Sequence, residues 1–134
     1  MRGRVLADGA AEGRALVLDE PLSFWGGVDP GSGAIIDARH PQLGASVNGR
    51  VLVMQAVRGS SSSSSVLAET VRAGCAPAAV LLGEPDLILS VGAAVAEELY
   101  GTRVPVIQLR AGDLAAIPDG AAVSISDGGE VTIR

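Results

Sequence analysis

The chain has 134 residues, with ten Arg, no Lys, 15 acidic residues, one His, one Cys, three aromatics and a net charge of −5. That length suits one domain with one real core. One His and one Cys cannot supply the roughly three or four ligands of a zinc or iron–sulfur site, no disulfide can form within the chain, and the acidic balance argues against a general nucleic-acid binder.

With aromatics scarce, the core must be built from Val, Leu, Ile and Ala. The N-terminus reaches Asp8 too soon for a signal peptide. No apolar run approaches the roughly 18 residues of a membrane span. A cytoplasmic protein with no membrane partner is the expectation. Residues 4–8 and 13–18 read as short strands around a glycine-containing turn. Residues 19–33 read as a loop, since two Pro and four Gly both stiffen and free its backbone. Residues 34–37 read as a strand, His40-Pro41 as part of another loop, and 50–54 as a strand. Six consecutive serines, 60–65, follow Arg58-Gly59. A helix is predicted over 66–73, with Val66, Leu67, Thr70 and Val71 on one face.

The continuous apolar run 78–82 reads as a buried strand, and 86–90 as another. Residues 92–100 read as a helix closed by Gly101, 104–109 as a strand and 112–116 as a short helical turn. Residues 121–126 and 130–133 are closing strands around the turn Asp127-Gly128-Gly129. Strands outnumber helices, so the predicted class is α/β or α+β with a mixed sheet.

A glycine followed by serines looks in isolation like a flexible linker. Its place between a strand and a helix inside one small domain opposes that, because a tether has no job there. Serine caps helices, and hydroxyls with free backbone N–H groups make a helix start an anion site. Positive potential from Arg58 and the helix terminus would favour the alkoxide of a nearby serine, as a serine base requires. An anion-binding or catalytic loop and a plain capped helix start both remain open on this ground. His40 is the only histidine available for a Ser-His-Asp triad, and no Gly-x-Ser-x-Gly elbow surrounds the serines, which argues against a hydrolase.

The residues Leu22-Ser23-Phe24-Trp25-Gly26-Gly27-Val28-Asp29-Pro30, Ile36-Asp37, His40-Pro41, Arg58-Gly59-Ser60-Ser61-Ser62-Ser63-Ser64 and Ala96-Glu97-Glu98-Leu99-Tyr100-Gly101 closely resemble the small subunit of aconitase X. The resemblance implies the swivelling β/β/α domain of the aconitase superfamily, with a mixed sheet or barrel-like strands and two to three helices. It implies a partner, the large catalytic aconitase X subunit, which carries an iron–sulfur cluster, and no cofactor on this chain. It also implies dehydration of a hydroxy acid, either cis-3-hydroxy-L-proline, as in bacterial members, or (R)-5-phosphomevalonate, as in archaeal ones. A Lys-free composition rich in Arg, Ala and Gly hints at a GC-rich genome and tilts the expectation toward a bacterial chain and hydroxyproline. By the same resemblance Ser60, the first serine after Arg-Gly, is the proton acceptor. Gln55 and Val57 stand where the archaeal pattern has Pro and Gly. Val57 is β-branched and disfavours positive φ, so the start of the loop must differ or use ordinary dihedrals.

In this reading Ser60 removes a proton next to a carboxylate. Arg58 stabilises the alkoxide or grips the carboxylate, while Gly59, Ser61 and Ser62 support the site. Trp25, Gly26, Gly27, Asp29 and His40 are the further candidate substrate-binding or supporting residues. Each also has a plainer role: Phe24 and Trp25 as core, the two glycines as a tight turn, Asp29 as a turn residue and His40 as a hydrogen-bonding residue. Cys75 reads as a small buried filler. Arg72, Arg103 and Arg110 are either solvated or at an interface. The rival class is a stand-alone anion-binding module without catalysis.

Overall fold

The computed structural model describes residues 1–134. Strands β1 (Arg4–Ala7) and β2 (Ala11–Val17) lead into a long loop containing one short turn, α1 (Phe24–Gly27). Two crossover units follow: β3 (Val51–Met54), helix α2 (Ser63–Arg72), β4 (Ala79–Leu82), helix α3 (Leu87–Tyr100) and β5 (Val106–Gln108). The chain then adds a single-turn helix, α4 (Ala111–Ala115), and the hairpin of β6 (Ala122–Ser126) and β7 (Glu130–Ile133).

The strand order is β1-β5-β4-β3-β2-β6-β7. β2, β3, β4 and β5 run parallel, β2 to β3 across the long loop and the others across helices, and β1, β6 and β7 are antiparallel to their neighbours. The two ends of the sheet meet. Gly3 N–H donates to the Gly129 carbonyl at 2.9 Å and Val131 N–H to the Met1 carbonyl at 2.7 Å, so the sheet curls toward a barrel.

Strand periodicity divides the apolar side chains into two cores. Val51, Val53, Ala79, Leu81, Ile107 and Leu109 point into the barrel, where they meet Val123, Ile125, Val131 and the plug residues Leu114 and Ile117. Leu52, Met54, Val80, Leu82 and Val106 point outward onto Val66, Leu67, Leu89 and Ala93 of α2 and α3 and onto the loop residues Leu22, Phe24, Val28 and Ile35. β3 and β4, buried on both sides, are therefore continuous apolar runs. This is the mixed sheet that the sequence indicates, in the β/β/α architecture that the resemblance implies. Two of its four helices are only single turns.

Three expectations need correction. Residues 86–90 are helix, not strand. The Asp86 carboxylate caps α3 by accepting the Leu89 N–H at 2.7 Å, and α3 runs unbroken through Gly92. Leu87-Ile88-Leu89 is apolar without a break, and such a short run hides its period. Residues 34–37 form only isolated bridges, Ala34 to Ser46 and Ile35 to Val28, because no partner strand runs alongside. Helix α2 begins at Ser63, inside the serine run, three residues before the predicted start.

Candidate active site

The parallel strands end at one edge, where Met54, Leu82 and Gln108 are register partners. In α/β sheets ligands bind beyond the carboxyl ends of the strands, and the serine loop leaves β3 there. The Gln55 carbonyl accepts the Gly83 N–H at 3.0 Å. Its side-chain amide lies over Gly83, where an added Cβ would fall 2.5 Å from Oε1. Val57 bridges to Leu22, and Arg58 N–H donates to the Leu22 carbonyl at 3.3 Å. No residue other than glycine has positive φ, so Val57 takes the ordinary dihedrals left open to it.

Within the run the serines differ. The carbonyls of Ser60, Ser61 and Ser62 accept the N–H groups of Ser63, Ser64 and Ser65 at 3.0, 3.4 and 3.1 Å, a tight turn that starts the helix. The backbone N–H groups of Gly59, Ser60, Ser61 and Ser62 have no partner within the chain. Ser62 occupies the cap position but makes no side-chain cap bond, unlike the capping that serine usually provides there. The hydroxyls of Ser60, Ser61 and Ser62 are likewise uncommitted, whereas Ser64 spends its own on the Ser61 carbonyl at 2.9 Å. Arg58 is exposed and joins no ion pair. Arg4, Arg14, Arg39, Arg50 and Arg110 are likewise unpaired, whereas Arg2, Arg72, Arg103 and Arg134 pair with carboxylates. Free donors, a helix N-terminus and an uncompensated guanidinium converge on one short loop, which is the chemistry of carboxylate or phosphate binding.

Ser63 differs from its neighbours in being fully buried. Its hydroxyl accepts the Trp25 N–H at 3.0 Å and lies 3.3 Å from the Ser23 hydroxyl. This fixes the Phe24–Gly27 turn against the start of α2. Phe24 goes into the core, and Trp25 is 60% exposed beside the serine loop. Gly26 has φ +75°, which leaves glycine as the natural occupant of the turn. Gly27 packs on Leu22, 3.0 Å from where its Cβ would be.

The structure therefore brings Arg58, Gly59, Ser60, Ser61, Ser62, Trp25, Gly26 and Gly27 together around the start of α2. Asp29 and His40 are instead committed to their own loops. Asp29 closes a turn by accepting from the Ser32 hydroxyl at 2.7 Å and the Gly31 N–H at 3.1 Å. These bonds, the Ser32 hydroxyl first, hold its carboxyl below the usual value. His40 is buried, with Nε2 against the Glu20 carbonyl at 3.0 Å and Nδ1 accepting the Gln42 N–H at 3.1 Å, so both nitrogens support the loop. Arg72 pairs with Glu69, Arg103 pairs with Glu97 and Asp127, and Arg110 is exposed ahead of α4.

The sequence did not single out Ser63, or the wall formed by Leu87, Ile88 and Val91, which share a cavity of ≈ 210 Å³ with Ser61 and Ser64. Helical spacing held a signal for Ser63: counting back from Val66 and Leu67 puts it on the buried face. No three His, Cys, Asp or Glu side chains come together. The buried Cys75 thiol hydrogen-bonds to the Pro30 carbonyl at 3.4 Å, and burial pushes its pKa up. The residues of this chain do not fit an iron–sulfur cluster.

These features define an α/β domain with a curled, mixed seven-stranded sheet that displays an Arg-Gly-Ser loop at the carboxyl edge of its parallel strands. The chain belongs to the aconitase X swivel domain family, which matches residues 1–133. It is 50% identical to the cis-3-hydroxy-L-proline dehydratase of Pseudomonas aeruginosa, over 86% of this chain and 20% of that one. It is 35% identical to the phosphomevalonate dehydratase small subunit of Methanothermobacter thermautotrophicus, over 98% of this chain and 95% of that one. The crystal structure of holo aconitase X from Thermococcus kodakaraensis superimposes with a TM-score of 0.87 at 34% identity, covering 99% of this chain and 96% of that one. The chain thus spans about a fifth of the length of its Pseudomonas relative and nearly all of the archaeal small subunit.

Proposed function

We propose that this chain is the swivelling component of a dehydratase that eliminates water from cis-3-hydroxy-L-proline. One observation carries this: a protein 50% identical to it over 86% of this chain bears that name. The serine loop agrees with it, presenting Ser60 with its hydroxyl uncommitted beside free N–H donors. The substrate carries a hydroxyl on the carbon β to its carboxylate. Ser60, as its alkoxide, takes the proton from the α-carbon and ends as the neutral hydroxyl. The C–H electron pair becomes the new double bond, and the hydroxyl leaves as water with a second proton given by an acid outside this chain. Arg58 and the N–H groups of residues 59–62 hold the carboxylate and stabilise the charge that develops as the proton departs. Ser61 and Ser62 orient Ser60 or donate to substrate oxygens.

Help for the leaving hydroxyl lies outside this chain. The iron–sulfur cluster that the resemblance implies belongs in this reading to the larger subunit, and the chain alone is inactive. A cytoplasmic setting goes with this reading. No helix is long and apolar enough to cross a membrane.

(R)-5-Phosphomevalonate is the second reading. It is favoured by the 35% identity to a phosphomevalonate dehydratase small subunit over 98% of this chain, and it too carries a hydroxyl β to a carboxylate. The test is the co-expressed pair of subunits assayed on both substrates, with Ser60→Ala alongside. The variant should fold, assemble and lose turnover by orders of magnitude, about 10²-fold or more for removal of a general base. Near-normal turnover would remove Ser60 from this role. Tight phosphate or carboxylate binding by the isolated chain, with no activity in the pair, would favour the anion-binding module.

A further inference from the structure

Helix α3 is apolar on both sides. Leu89, Gly92, Ala93 and Ala96 form its buried face. On the opposite side Leu87, Val91, Val95 and Leu99 recur every four residues and are 78%, 45%, 39% and 64% exposed. At that spacing they make one continuous stripe. Surface helices normally turn polar side chains to water, and a helix apolar all round belongs in an interior. A contiguous apolar stripe on a small domain marks an interaction surface.

Two observations identify the occupant. The stripe runs into the active site, because Leu87, Ile88 and Val91 line the ≈ 210 Å³ cavity with Ser61 and Ser64. Whatever completes the site around Ser60 approaches that same sheet edge and meets Leu87. The Pseudomonas relative, in which the matched region is 20% of the chain, carries a far larger body of protein that has to meet this domain.

We propose that the outer face of α3, led by Leu87 and Val91, is the seat of the larger subunit. This rests on the dehydratase reading for the existence of that subunit. Glu98 lies on the same face and joins no ion pair, so the partner surface should be apolar with a basic group opposite Glu98. Once seated, the interface excludes water beside the serine loop and fixes the loop against the rest of the active site.

The test is the affinity of the purified chain for the larger subunit, measured beside the turnover of the reconstituted pair. Leu87→Glu/Val91→Glu should weaken association on the order of 100-fold, and the milder Leu87→Ala/Val91→Ala about 10-fold. Circular dichroism should show α3 intact in both. Ser60→Ala should bind like wild type while losing turnover. Unchanged affinity in both double variants would overturn the surface. So would a wild-type chain that self-associates through this face, becoming monomeric in the double variants with affinity for the larger subunit unaltered. A wild-type pair that assembles through Leu87 and Val91 but dehydrates neither substrate would support the surface and overturn the dehydratase reading.

Discussion

The Ser63 hydroxyl accepts the backbone N–H of Trp25 at 3.0 Å across 38 residues of sequence. Ser63 is the first residue of α2 and is fully buried, so the bond ties the aromatic turn to the serine loop through the rigid end of a helix. Ser63→Ala leaves the Trp25 N–H without its partner. The expected cost is about 1–2 kcal/mol in a denaturant titration. Trp25 is the only tryptophan, so its fluorescence reads the turn directly. Emission anisotropy should fall and iodide quenching rise in the variant. Unchanged Trp25 signals would mean that the turn holds its place without Ser63.

Arg58 is the one guanidinium on the serine loop, and no carboxylate of this chain neutralises it. A charge-assisted hydrogen bond contributes about 1.5–3 kcal/mol. Arg58→Gln should therefore lower kcat/KM of the reconstituted pair by about 10- to 100-fold. Arg58→Lys keeps the charge but loses the planar fork, so it should recover only part of the loss. A variant with wild-type kcat/KM would leave substrate binding to the backbone N–H groups and the partner.

What the sequence revealed follows where each signal is local. The β6–β7 hairpin is legible to the residue at β7, because Asp127-Gly128-Gly129 separates two apolar-alternating runs. β3 and β4 are legible as unbroken apolar runs. The first turn of α3 is not, since its exposed stripe is as apolar as its buried face, and the reason lies in a surface rather than in the helix. The Arg-Gly-Ser loop can be picked out by composition. Which serine is buried and which are free depends on the helix starting at Ser63, three residues earlier than the apolar face suggests.

Two turn carboxylates, the exposed Asp8 and the half-buried Asp29, give the fold a defined acid sensitivity. The Asp8 carboxyl is held below its ordinary value by the N–H groups of Gly128 and then Gly9, and that of Asp29 by the Ser32 hydroxyl and then the Gly31 N–H. A folded-state pKa below the unfolded one stabilises the fold above the unfolded pKa, about 3.9 for Asp. That contribution disappears as pH falls through the lower folded value. Urea midpoints should be flat in this respect from neutral pH down to about 5 and should drop below about 4. The double variant Asp8→Asn/Asp29→Asn should lose stability less steeply over that acid range. Identical slopes in the two proteins would assign the acid loss to other carboxylates.

Gly92 sits where α3 crosses α2, and the crossing sets the position of the serine loop. A Cβ there would lie 2.8 Å from the Ser64 carbonyl oxygen and 3.0 Å from the Ser64 Cα, both backbone atoms that cannot swing aside. In a helix interior Gly→Ala ordinarily gains about 1 kcal/mol of propensity. Here overpacking, at about 1–3 kcal/mol, opposes that gain. Because backbone rather than a flexible side chain has to yield, the expected net is a loss of about 1 kcal/mol. Gly112 in α4 is the internal control. Nothing lies within 4 Å of its added Cβ, so Gly112→Ala should raise the melting temperature. If Gly92→Ala also raises it, the two helices have room to spare at their crossing. If it lowers it, Ser64 and the turn from Ser60 should shift with α2, and turnover of the reconstituted pair should fall although no residue of the serine loop has changed.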